Sequence, residues 1–229
     1  PTGRQWAINT VIGTFLLLGG NGLVVWAEQF IASSVVALLL GATPLFFVLT
    51  EWAWPGGSRP QASTFAVLLL GFAGVAWLAA PWESESAGGY HPGAMLALLG
   101  ACVFWSIGSI YSRHAKHGAD PFTASALQML GGGAVIGVVA LGHGDFARFD
   151  PAAVSVRSWI AFVYLVFVGS LAGFSAFVWL MKHCPPAKVA TYAYVNPVVA
   201  VLLGWLILDE PVGPRTLAAS AVILTAVAI

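Results

Sequence analysis

Two stretches, WAINTVIGTFLLLGGNGLVVW from Trp6 to Trp26 and WIAFVYLVFVGSLAGFSAFVW from Trp159 to Trp179, align without a gap at an offset of 153 residues. Neither carries a charge. At about 1.5 Å of helical rise per residue, each is long enough to cross the roughly 30 Å hydrocarbon core of a bilayer. The same offset places Trp52 on Trp205 and pairs Leu18 with Leu171, Gly20 with Gly173, Val25 with Val178, Val36 with Val189, Ala37 with Ala190, Pro44 with Pro197, Val48 with Val201 and Leu49 with Leu202. Trp is too rare for these coincidences to follow from composition, so the pattern predicts an internal duplication.

Composition points the same way. Of 229 residues, 59% are hydrophobic and 8% charged, against about 25% charged in a soluble domain. An all-α integral membrane protein is expected. Windows of about 20 apolar residues predict eight spans: Trp6 to Ala27, Ser33 to Trp52, Thr64 to Pro81, Gly93 to Ser112, Pro121 to Leu141, Trp159 to Met181, Ala187 to Leu208, and Pro214 to the end. Lys plus Arg number nine and Asp plus Glu nine, which leaves no basic surface for a phosphate backbone and makes nucleic acid an unexpected partner. Cys102 and Cys184 form no CxxC pair, and no metal or cofactor is expected.

The first span matches the sixth and the second the seventh, so the repeat unit is five helices, and an odd number sends the copies through the membrane in opposite directions. Residues 1–81 then hold the last three helices of a first repeat, and residues 92–229 hold a five-helix second repeat. The chain opens on Pro1 and closes within an apolar run, and it is expected to be part of a longer 5+5, ten-helix protein. Arg4, Arg59, Arg113, Lys116, Lys182 and Lys188 fall on one side of the implied zigzag, while Arg148, Arg157 and Arg215 fall on the other. The richer side is read as cytoplasmic. Trp6, Trp26, Trp52, Trp54, Trp77, Trp82 and Trp159 lie near span ends, as an interfacial aromatic belt does.

The stretch AKVATYAYVNPVVAVLLGWLILDEP, Ala187 to Pro211, resembles the ninth helix of the EamA family of the drug/metabolite transporter superfamily. Trp26 to Phe46 and Trp105-Ser106-Ile107-Gly108-Ser109 support the resemblance, which covers essentially the whole chain. One departure is that Glu210, thirteen residues after Pro197, has Gly57 as its first-copy counterpart, with Glu51 nearer the proline. The resemblance implies a secondary transporter of amino acids, related metabolites or drugs, with export common, in a bacterial inner membrane.

Candidate contacts for a small-molecule substrate follow from polar and kink-forming residues within spans. Pro44 and Pro197 each remove a backbone hydrogen bond and bend a helix, with Thr43 and Asn196 immediately before them. Such bends either shape a midplane cavity or serve only as packing kinks. Tyr192 and Asn196 share a helical face, as do Trp105 and Ser109 with Ser106 beside them, and Asn21 is an amide that hydrocarbon penalises unless it is paired. Ordinary interhelical hydrogen bonding is the competing reading for all of them. Gly131 to Gly133 and the Gly169–Gly173 GxxxG pair read as close-packing surfaces. The five histidines fall in predicted loops, and no span offers the nucleophile and histidine of an intramembrane enzyme or the charge ring of a channel. An alternating-access carrier is therefore expected ahead of an enzyme, channel or scaffold.

Overall fold

The computed structural model describes residues 1–31, 36, 39–57, 59–79, 91–115, 118–208 and 213–228. Four of the described helices are long and apolar enough to cross a membrane: Gly3–Ala27 (α1), Pro92–His114 (α4), Pro121–His143 (α5) and Val156–His183 (α6). Between and after them lie Thr43–Ala53 (α2), Ala62–Ala79 (α3), Pro186–Ala190 (α7), Tyr192–Leu208 (α8) and Pro214–Ala228 (α9). Only part of the second expected span, from Ser33, is described, since residues 32–35, 37 and 38 lie outside the described set, as do Trp82, Lys116, His117 and Asp209 to Pro211.

Helix starts obey local chemistry. Thr2 and Gln5 form a reciprocal capping box at α1, so the helix begins three residues before the expected Trp6. The side chains of His91, Asp120 and Ser155 accept from the first turns of α4, α5 and α6. Pro92 and Pro121 occupy first-turn positions, where a missing N–H costs nothing. Gly144 closes α5 at φ +74°, a left-handed conformation that residues with a Cβ resist. The expected seventh span is interrupted: Pro186 starts α7, Thr191 forms a turn whose N–H donates to the Lys188 carbonyl, and α8 begins at Tyr192. His114, His143 and His183 end helices instead of lying in loops.

Both long helices at the 153-residue offset contain a π-helical stretch. Thr14–Gly22 widens α1, and Leu165–Phe174 widens α6 at nearly the corresponding place. Gly3 and Val156, where the two helices begin, are also 153 residues apart.

Of the three α5 glycines expected to pack closely, Gly131 and Gly132 do, and Gly133 faces open space. A Cβ on Gly13 of α1 would stand 2.0 Å from the Gln128 carbonyl oxygen, and one on Gly132 would stand 2.6 Å from that of Gly13, so the α1 and α5 backbones touch. Next to this crossing is a buried polar group. The Gln128 amide donates to Asn9 Oδ1 and Ser112 Oγ, both at 3.0 Å, and Asn9 donates to the Gln5 carbonyl. The Gly169–Gly173 pair behaves differently, since Cβ atoms there would meet only atoms of α6 itself. Only 6% of the most apolar window of α6 is buried, and Ile160, Phe162, Phe167 and Leu171 point outward. Hydrocarbon solvates such a face, and water does not.

On the far side of the molecule α3 packs along α9, with α8 against both. Val48, Leu68, Val75, Tyr194, Val198 and Ile223 form their core. The Tyr194 ring fills the space over Gly71, and its hydroxyl donates to the Leu68 carbonyl at 2.9 Å.

Candidate substrate cavity

A cavity of about 500 Å³ lies among α1, α2, α4 and α8. Gly20, Asn21, Val24 and Glu28 form its α1 wall, Val36, Leu40 and Thr43 the next, Ala101, Cys102 and Trp105 the α4 wall, and Tyr192, Ala193 and Asn196 the α8 wall. The π-helical widening ends at Gly22, so Gly20 and Asn21 belong to it. Lacking a side chain, Gly20 leaves room for the Trp105 ring, and a Cβ there would lie 2.6 Å from Trp105 Cε3.

Five of the expected contact residues line this cavity: Asn21, Thr43, Trp105, Tyr192 and Asn196. Pro44, Ser106 and Ser109 do not line it. Ser106 is buried and donates to the Cys102 carbonyl at 2.7 Å. Ser109 is buried with its hydroxyl unpartnered, and Pro44 is buried in the first turn of α2. Pro197 lies inside α8.

The two proline bends differ in a way that bears on chemistry. Pro44 cannot donate to the Leu40 carbonyl, and the Thr43 hydroxyl takes that place at 2.6 Å. A local side chain thus occupies the carbonyl that the proline frees. In α8, Pro197 likewise has no N–H for the carbonyl four residues earlier, that of Ala193, and Ala193 itself lines the cavity.

Cys102 and Glu28 were not among the expected contacts. Cys102 packs against the Thr43 hydroxyl at 3.3 Å. Glu28 caps the C-terminus of α1. A sequence signal for both exists: Gly20, Val24 and Glu28 recur every four residues from the Asn21 region, and Cys102 lies one turn before Trp105. The Trp105 indole N–H faces the Tyr192 hydroxyl without a hydrogen bond of good geometry. Phe177 lies behind both, its ring centroid 5.7 Å from that of Trp105 and 5.7 Å from that of Tyr192.

The cavity runs from mid-helix toward the Glu28 end, and the opposite end is closed. Phe47, Ile110, Met181, Val189 and Ala190 pack into a plug. Around it His114 Nε2 lies 3.2 Å from Glu51 Oε2, with Trp54 stacked on the imidazole. Arg113 donates to the carbonyls of Met181 and Cys184, and Lys182 donates to that of Ala119. These ties join α2, α4 and α6 at the end read as cytoplasmic.

Residues 92–229 match the EamA-like transporter family. The chain is 32% identical over 195 residues to the uncharacterized inner membrane transporter YedA of Escherichia coli strain K12, an alignment covering 85% of this chain and 60% of YedA. It is 26% identical over 228 residues to the uncharacterized transporter YvbV of Bacillus subtilis strain 168, covering 99% of this chain and 72% of YvbV. A protein of known crystal structure superposes with a TM-score of 0.78 over 98% of this chain and 82% of its own, at 20% identity. That last likeness is one of fold.

Proposed function

The chain belongs to the EamA-like transporter family, and on that premise we propose that it carries small metabolites across a bacterial inner membrane, where it sits as a multi-pass protein, by alternating access. The observation that carries this reading is the cavity itself. Its walls come from both sides of the 153-residue offset, α1 and α2 on one and α4 and α8 on the other, and a plug and polar ties close the end away from Glu28. That arrangement is what one half of a rocking cycle requires of two inverted units. With the basic-rich side taken as cytoplasmic, the cavity faces outward. The eight-span count, the two-repeat division at residues 1–81 and 92–229, and contact of Asn21, Thr43, Trp105, Tyr192 and Asn196 with substrate belong to the same proposal.

The test is flux in liposomes holding the whole protein. A labelled panel of amino acids and related metabolites is offered, and Tyr192→Phe and Asn196→Ala variants are run beside the unaltered protein. Saturable counterflow that the variants weaken supports a carrier with its site in this cavity. Counterflow indifferent to both variants moves the site elsewhere, and a linear, non-saturating leak would indicate a channel.

A further inference from the structure

Charge is distributed very unevenly around the cavity. Among the described lining residues Glu28 alone is ionic, and none of them is Lys, Arg or His. Between Gln5 and Ser112 the sequence has a single Lys or Arg, Arg59, and it belongs to the connection at the closed end. The stretches 32–35 and 37–38, beside the cavity in sequence, therefore bring no Lys or Arg to it.

The placement of Glu28 adds to the imbalance. It follows the last residue of α1, Ala27, where the unpaired carbonyls of a helix end already carry partial negative charge. An acidic side chain opposes helix stability there, yet both groups attract a cation at the cavity mouth.

Several of the N–H groups that could hold an anion are engaged within the chain. Helix starts bind carboxylates through free N–H groups, and α2 and α8 both begin beside the cavity. At α2, Pro44 has no N–H, and those of Leu45 and Phe46 donate to the Ala42 carbonyl at 3.0 and 3.4 Å. At α8, the Tyr194 N–H donates to the Thr191 carbonyl at 3.0 Å. Trp105 and Tyr192 offer aromatic faces, whose quadrupole attracts cations and repels anions.

We infer that the cavity selects organic ammonium ions, an amine on an apolar or aromatic body, with Glu28 as the counter-charge and Trp105 and Tyr192 as the wall. This selection rests on the carrier reading above.

Three probes of nearly equal size separate the possibilities: 2-phenylethylammonium, neutral 2-phenylethanol and the anion phenylacetate. Binding to the whole protein is measured by calorimetry in detergent micelles, and flux is measured in liposomes. The ammonium is expected to bind at least about tenfold more tightly than phenylacetate, a ratio equivalent to about 1.4 kcal/mol. Glu28→Gln is expected to erase that ratio while 2-phenylethanol binds as before, which shows the cavity intact. Equal or tighter binding of phenylacetate with saturable flux overturns the selection and leaves the carrier standing, as does a ratio that survives Glu28→Gln. Failure of all three probes to bind or cross overturns both.

Discussion

Gly20→Ala is the sharpest probe of the cavity wall. The added methyl would stand 2.6 Å from Trp105 Cε3, and ordinary carbon contacts of 3.5–4.0 Å require the ring to retreat by roughly 1 Å. A packed core resists such insertion at about 1–3 kcal/mol. Here the ring borders a cavity of about 500 Å³, so it can move into empty space, and the cost should fall at the lower end of that range. The loss appears instead in the solute, whose aromatic wall has shifted: KM is expected to rise about tenfold, or about 1.4 kcal/mol, with little change in the thermal midpoint. Gly19→Ala supplies the matched control. Its methyl would also stand 2.6 Å from a ring, that of Phe104, which is 40% exposed and does not line the cavity. Liposome flux gives KM, and thermal unfolding in detergent gives stability. If both variants raise KM equally, or if Gly20→Ala lowers stability while leaving KM unchanged, the assignment of Trp105 as a movable cavity wall is refuted.

Three further outcomes are expected. Gln128→Leu removes two hydrogen bonds between buried groups, worth about 0.6 kcal/mol each on average within membranes. Asn9→Leu added to it should cost less than the sum of the single changes, and strict additivity in a double-mutant unfolding cycle would exclude the network. Arg113→Gln withdraws a cationic donor from the Met181 and Cys184 carbonyls and should lower stability by about 1–3 kcal/mol, with release of the closed end read as faster thiol labelling of Cys184. Hydrogen bonds from the Thr123 hydroxyl, then from the backbone, hold the exposed Asp120 carboxyl below its ordinary value of 3.8. The stability it gives α5 is therefore complete above that ordinary value and is lost as pH falls through the lowered one. Asp120→Asn should flatten this acid limb in a pH series of unfolding midpoints.

Much of the architecture was legible because a bilayer imposes simple arithmetic. Apolar length located α1, α4, α5 and α6 to within a few residues, and Trp6, Trp26, Trp159 and Trp179 exposed the offset because tryptophan rarely recurs by accident. Helix ends were less legible, since the Thr2–Gln5 capping box and the turn at Thr191 depend on one or two hydrogen bonds that hydropathy averages away. In the cavity, the polar residues of α1 and α8 could be ranked by the cost of burying them. The hydrophobicity of Cys102 hid it within its apolar run, and Glu28 was missed because nothing in one helix tells which neighbour its end faces. The π-helical stretches left no mark in the composition of Thr14–Gly22 or Leu165–Phe174 that hydrophobic spacing detects.

The Thr43 hydroxyl that covers the Leu40 carbonyl has a consequence for how the halves have diverged. Segments related at the 153-residue offset place Pro44 in the first turn of α2 and Pro197 inside α8, and while the Thr43 hydroxyl folds back on the Leu40 carbonyl, Asn196 brings a longer amide to the cavity wall. At Pro44 the neighbouring hydroxyl is spent on its own backbone, although Thr43 still lines the cavity. The cavity therefore has two unlike walls, and if solute binds there, grafting the Thr-Pro pair onto the α8 position through Asn196→Thr is expected to weaken its binding without straightening the helix.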